Sequence, residues 1–254
     1  MDFSWLDVTD LAERPDRLPL TAAFDDPSVA PFLYQDPVSA ALFPELVASH
    51  PQYTLLAVER DGGRPAAMLC TLPFTSGGEL PAGGYDAVLL SAAADTLAGR
   101  TGPDVSALFA TVRPDLRGRG ISDHMVALAR RNAARLGHDA LVAPVRPTHK
   151  HLRPHLPLES YVAERRPDGT STDPWLRVHE RAGGRFVAVA PHSMTITAPL
   201  PRWREWTGLP FDAPGPVLVP GGLAPVLCDP QRGVAVYVEA NAWYRHELSR
   251  DPSQ

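Results

Sequence analysis

A mixed α/β fold is what this sequence predicts, and three observations carry the prediction. Short apolar runs of strand length alternate with longer runs whose apolar residues recur at helical spacing. Glycine- and proline-rich turn signals separate them. A chain of 254 residues with 44% hydrophobic residues also has enough apolar surface for a substantial core. No internal repeat and no long linker divides it. The expectation is one domain over residues 1–254, with a core at about 38–198 and a C-terminal extension at about 199–254.

The elements follow in order. Residues 1–37 are rich in Pro and Asp and offer only short helical stretches. Residues 38–50 place Leu42, Leu46 and Val47 at helical spacing. Residues 53–59 and 65–72 read as two strands around Arg60-Asp61-Gly62-Gly63, a hairpin signal. A glycine-rich loop at 74–84 leads into a helix at 85–97. A strand at 105–112, a short basic loop and an amphipathic helix at 123–136 come next, then a short buried strand at 140–145. The polar, proline-rich stretch 146–172 is long for a connection inside a compact domain, which marks it for function. Residues 174–182 form a helix that Asp173 can cap, with Pro174 in its first turn and Gly183-Gly184 stopping it. A long strand at 186–197, a helical turn or two at 202–207, and candidate strands at 217–219, 224–227 and 234–239 complete the chain.

The most informative stretch is Arg117-Gly118-Arg119-Gly120-Ile121-Ser122. It joins a strand to a helix, and such a corner is able to bind an anion. Glycines let successive N–H groups converge on one phosphate, and the helix start adds unpaired N–H groups and a positive dipole end. A P-loop would need a Lys after its second glycine, and the chain's one lysine is Lys150. A dinucleotide fingerprint would need a third glycine where Asp123 stands. An ordinary strand–turn–helix corner is the alternative reading of these six residues. Asp123 suits the helix dipole but would repel a phosphate, and Ser122 is read as a helix cap.

Val112-Arg113-Pro114 followed by Arg117-x-x-Gly120-x-Ser122 resembles the pyrophosphate loop of the GNAT superfamily of acyl-CoA-dependent N-acyltransferases, whose pattern is Gln/Arg-x-x-Gly-x-Gly/Ala after a strand ending in Val-x-Pro. Ser122 departs from that Gly or Ala. The element order from about 38 to 198 agrees with the family over roughly two-thirds of the chain. The resemblance implies a mixed, mostly antiparallel central sheet flanked by helices, with an added C-terminal strand and tail region. It implies acetyl-CoA or another acyl-CoA as co-substrate and acyl transfer to an amine of a small molecule. Val112, Arg117, Gly118, Arg119, Gly120, Ile121 and Ser122 are then the cofactor-binding residues. Arg113 or Arg146 could also reach a phosphate of CoA.

The same resemblance aligns Val178-His179-Glu180-Arg181-Ala182-Gly183-Gly184 with a family helix that carries a Tyr-Glu pair before its final glycine. His179 replaces the tyrosine that protonates the leaving thiolate, and a histidine titrating near ~6.5 suits that task. The alternative is a histidine packed on the sheet. Many relatives keep a glutamate on the strand before the loop, but residues 105–111 carry no carboxylate. Glu239, near Asn241, Trp243 and His246, is the second catalytic candidate, lining an acceptor pocket; a packed edge strand is its alternative. The missing carboxylate, His179 and Ser122 motivate a competing reading, a GNAT-fold protein that binds acyl-CoA without transfer. Thioester chemistry other than N-acylation is a third.

Charge narrows the classes. The net charge is −5, yet residues 113–155 hold nine Lys/Arg against three Asp/Glu. That basic part contains no Phe, Tyr or Trp, so the stacking platforms of single-strand binding are missing, and no nucleic-acid partner is expected. No membrane span or signal peptide is recognisable, so a cytoplasmic location is expected. Cys70 and Cys228 read as buried thiols. His149, His151 and His155 lack a matching Cys or carboxylate set, so no metal is expected. A homodimer is left open.

Overall fold

The structure is a computed structural model that describes residues 2–24 and 29–248; the ends of the expected span, residue 1 and residues 249–254, lie outside the described residues. One mixed sheet of nine strands organises it, in the order β1-β2-β3-β4-β5-β9-β8-β7, with β6 paired to β9. The first strands are β1 (Leu6–Asp10), β2 (Thr54–Glu59), β3 (Pro65–Phe74) and β4 (Asp104–Val112), all antiparallel neighbours. Then follow β5 (Ala140–Val145), β6 (Arg185–Pro199), β7 (Gly215–Val217), β8 (Val226–Asp229) and β9 (Val234–Glu247). Among the described residues, only β4 and β5 are parallel. The helices are α1 (Pro37–Ser49), α2 (Gly84–Leu97), α3 (Ile121–Arg135), α4 (Leu158–Ala163), α5 (Pro174–Arg181) and α6 (Leu200–Thr207).

Strand alternation sorts the core onto two faces. Leu55, Ala57, Leu69 and Val105 pack with Ile121, Met125, Val126 and Ala129 of α3 and Val178 of α5. Leu72, Phe74, Val142 and Trp243 pack with Leu46 of α1 and Val88, Leu89 and Ala92 of α2. A further cluster gathers Trp203 of α6, Phe32, Phe211, Val226 and Tyr237. Trp203 Nε1 donates to the carbonyl of Ala235 at 2.9 Å, so its polar edge is satisfied inside that cluster. Gly84 lets α2 start directly on β6: a Cβ there would lie 2.2 Å from Ser193 Oγ.

Three elements differ from expectation. Leu6–Asp10 is a strand; two aspartates among five residues conceal its pattern. Leu158–Ala163 is a helix within the stretch read as an extended connection. Most consequential, β9 continues to Glu247, well past Glu239, and lies between β5 and β6. The segment expected as an extension beyond 199 therefore supplies an interior strand of the sheet. The polar residues Glu239, Asn241 and His246 occupy buried positions on β9, which breaks the apolar alternation that marks a strand.

Candidate active site

The sheet opens between β4 and β5. Their ladder contains a single pair, Ser106 with Val142, although β5 pairs along its whole length with β9. The cause lies in β4. Against β3, Cys70 faces Phe109 while the next residue, Thr71, faces Ala107, so Leu108 is an extra residue, a β-bulge. A bulge bends its strand and raises the local twist. From Leu108 to Val112 the edge of β4 turned toward β5 has no ladder partner. Arg117 Nε donates to the Val112 carbonyl at 3.3 Å at the end of this edge; the edge ahead of it, without a ladder partner, suits an extended ligand that pairs as an added strand would.

At the end of this open edge stands the glycine loop expected to bind an anion. Val112 closes β4, Pro114–Leu116 makes a 3-10 turn, and α3 starts at Ile121. Gly118 and Gly120 both have positive φ, +77° and +76°, which glycine accepts without a Cβ penalty. Gly120, and not Ser122, occupies the cap position, and no side chain caps the helix. The first helical bond runs from His124 N–H to the Gly120 carbonyl. The N–H groups of Ile121, Ser122 and Asp123 consequently lack helical acceptors and are suited to bind oxyanions. Ile121 is buried and anchors the loop in the core, whereas Arg117, Gly118 and Arg119 are exposed. Asp123 is held by Arg181 through two contacts of 2.9 and 3.1 Å, which offsets its charge beside the loop.

The other two arginines offered for phosphate are engaged elsewhere. Arg113 is bound to Glu59, to Asp115 at 2.6 Å and to the Pro65 carbonyl at 2.8 Å. Arg146 spans Glu239 and the Gly221 carbonyl.

His179 lies on α5 at 4% exposure, edge-on to Trp175 and beside Tyr244. Its Nδ1 is 3.0 Å from Nε2 of His246 on β9. Burial, with His246 as a second cause, pushes its pKa down to about 3. Burial and the charge of Arg130 take His246 down to about 4. Both rings are therefore neutral near pH 7. Only Nε2 of His179 is left to meet another molecule, since Nδ1 is occupied.

Glu239 is fully buried. Arg146 Nε donates to both its oxygens at 3.0 Å, Tyr237 Oη at 2.6 Å and Asn241 Nδ2 at 3.1 Å. Asn241 in turn accepts from Ser193 Oγ at 2.6 Å, and Ser193 accepts from the Tyr85 N–H at 2.8 Å. Glu239 is thus the hub of a network that ties β9 to β6, to α2 and to the segment after β5. Its acceptor capacity is consumed within that network.

Two further features escaped sequence reasoning. Asp36 caps α1 through Val38 N–H at 2.9 Å, while its Oδ2 and Oδ1 of Asp86 are both buried without a donor. Burial, followed by the neighbouring Asp36 carboxyl, raises Asp86 to about 8. A proton held on Asp86 would supply the donor that the two oxygens lack. Asp173 is a second hub. It accepts from the N–H groups of Thr148, His149, Trp175 and Leu176 and from Tyr161 Oη, fastening the 146–153 segment and α4 to the start of α5. Its capping role was legible from Asp173-Pro174; its other bonds were not. Among the described residues, no group of three or more His, Cys, Asp or Glu side chains could hold a metal ion, and no helix is long and apolar enough to cross a membrane.

Comparison with known proteins follows the geometry. The chain is 34% identical over 249 residues to the arginine N-acetyltransferase avaD of Aspergillus versicolor, covering 85% of this chain and 84% of that protein. Its fold is similar to the loading GNATL domain of CurA from Lyngbya majuscula, with a TM-score of 0.60, 12% identity, and coverage of 96% of this chain and 98% of that one. It is also similar to the GphF GNAT-like decarboxylase, solved in complex with isobutyryl-CoA, with a TM-score of 0.57, 17% identity, and coverage of 96% and 99%. No protein-family model matches the chain.

Proposed function

Because the chain belongs to the GNAT superfamily of acyl-CoA-dependent N-acyltransferases, and so moves an acyl group from acyl-CoA to an amine of a small molecule, we propose that its donor is acetyl-CoA and its acceptor arginine or a closely similar guanidine-bearing amino acid. The observation that carries this reading is the identity to an arginine N-acetyltransferase along most of both chains.

In this reading the N–H groups of Ile121, Ser122 and Asp123, with Arg117 and Arg119, hold the pyrophosphate. The open edge of β4 from Leu108 to Val112 pairs with the pantetheine arm, and a β4 N–H polarises the thioester carbonyl. The neutral acceptor amine attacks that carbonyl carbon, the C–S bond breaks, and the amine's proton passes to solvent. His179, neutral and fixed by His246, donates a hydrogen bond from Nε2 to the departing sulfur and does not itself ionise. Glu239 acts by positioning: it holds Arg146 and the wall of the acceptor side. The reaction takes place in the cytoplasm and involves no nucleic acid.

The test is thiol release from acetyl-CoA with L-arginine, L-lysine, L-ornithine and agmatine, each product identified by mass spectrometry. Arginine should give the highest kcat/KM and a singly acetylated product. Turnover that favours an amine without a guanidinium would overturn the acceptor while leaving the superfamily chemistry intact.

A further inference from the structure

Lys150 is the chain's one lysine, and it is only 3% exposed. It makes no ion pair among the described residues. Its Nζ donates to the carbonyls of Leu223 at 2.7 Å and Arg153 at 2.9 Å, with Pro154 farther off at 3.5 Å. An ammonium carries three protons, so the third is weakly engaged. The carboxylate whose field it feels, Glu239, is already bound by Arg146. A buried cation without an anion is costly, and burial, followed by the charge of Arg153, accordingly lowers the pKa of Lys150.

Lys150 lines a cavity of about 180 Å³ together with His155, Leu156, Leu158, Leu223 and Ala240. At roughly 30 Å³ per water, the space is that of about six waters, enough for a comparable number of heavy atoms. One wall is cationic and the others are largely aliphatic. Lys150 is held in place by the carbonyls it donates to, and the N–H groups of Thr148 and His149 just before it are held by Asp173. A preformed, mostly apolar cavity with one uncompensated charge selects its ligand by that charge.

We propose that this cavity is a carboxylate-binding site, in which Lys150 Nζ pairs with the carboxylate of a small aliphatic ligand while Leu156, Leu158 and Leu223 cover the ligand's carbons. The carboxylate is either that of the amino-acid acceptor, a source that rests on the function proposed above, or that of a free short-chain acid, which does not.

A single lysine makes the test direct. Protein grown with ¹³C-lysine gives one lysine side-chain signal, and its Cε shift follows the ionisation of Nζ. At constant ionic strength the full chain is titrated separately with propionate, L-arginine and agmatine, the last being arginine without its carboxylate. A carboxylate ligand should move the signal saturably and raise its titration midpoint by about one pH unit or more. Movement with arginine but not agmatine assigns the site to the acceptor; movement with propionate alone assigns it to a free acid. No saturable movement with any carboxylate, or equal movement with agmatine and arginine, overturns the proposal, and neither result depends on turnover. In calorimetry, Lys150→Met should abolish the heat of carboxylate binding. Should that variant fail to fold, the wild-type titration decides the question by itself.

Discussion

Ser106 pairs with Val142, and two residues beyond that rung Leu108 bulges out of β4. This relationship joins the fold to the chemistry. The rung keeps β4 and β5 in one sheet, while the bulge turns β4 away just before Gly118 and Gly120 shape the anion loop. In the proposed function, the acyl donor uses this unpaired strand edge for its arm and the helix start for its phosphates.

Gly120→Glu should abolish acetyl-CoA binding and leave the fold standing. The residue has a φ of +76°, a conformation costing a non-glycine residue about 1–2 kcal/mol. The new carboxylate would also stand in the proposed pyrophosphate site. Gly120→Ala should show the backbone effect alone, with a smaller loss of affinity. Calorimetric titration beside a circular-dichroism melt separates the two; unchanged affinity in the Glu variant would remove the loop from the donor site.

The histidine pair should make the protein acid-labile without giving the rate a histidine ionisation. Both folded pKa values lie below the unfolded value of 6.5, at about 3 and about 4. The unfolded chain therefore binds more protons between those limits. The stability contributed by neutral burial is complete above pH 6.5 and is lost as pH falls toward 4, by up to about 1.4 kcal/mol per pH unit for each ring. His179→Leu should flatten that slope in urea melts. The wild-type kcat profile should show no step near pH 6.5, and a step there would mean that His179 or His246 titrates in the working enzyme.

Asp86→Asn should stabilise the protein at alkaline pH. With a folded pKa near 8 against an ordinary aspartate value of about 3.9, Asp86 holds a proton in the fold that the unfolded chain releases. Stability therefore declines as pH rises from about 4 to 8, and an amide that cannot ionise escapes the decline. Asn can accept from Thr195 N–H, as Asp86 Oδ2 does at 3.1 Å, and can donate to Asp36. The Tm difference between variant and wild type should be small at pH 4 and largest near pH 8; a difference independent of pH would rule out the proton held on Asp86.

Asp173→Ala should cost roughly 3 kcal/mol or more, because four backbone donors and Tyr161 Oη lose one buried acceptor together. Chemical denaturation measures the loss. Asp173→Asn should recover only part of it, since one of its two terminal atoms no longer accepts.

What the sequence discloses and what it hides divide along physical lines. Local structure is legible: Gly62-Gly63 turns the hairpin, Asp173-Pro174 starts a helix, and Gly118-x-Gly120 makes the turn into α3, because each depends on a few adjacent residues. Long-range pairing was not. Nothing near Leu108 announces a bulge, since a bulge exists only relative to a partner strand. Glu239 reads as the end of a strand with His246 beyond it, but both occupy buried positions of one long interior strand, where Arg146 and His179 complete them. The serine expected to cap α3 lies one residue inside it, since the positive φ of Gly120 starts the helix earlier.

The central claim is that the opened edge of β4 and the loop after it hold the acyl donor. Hydrogen–deuterium exchange with and without acetyl-CoA tests it residue by residue. The account predicts slowed exchange at Leu108–Val112 and at the amides of Ile121, Ser122 and Asp123, with β1 to β3 unaffected. Saturating acetyl-CoA that leaves these amides unchanged, or protects a different part of the chain, would contradict it.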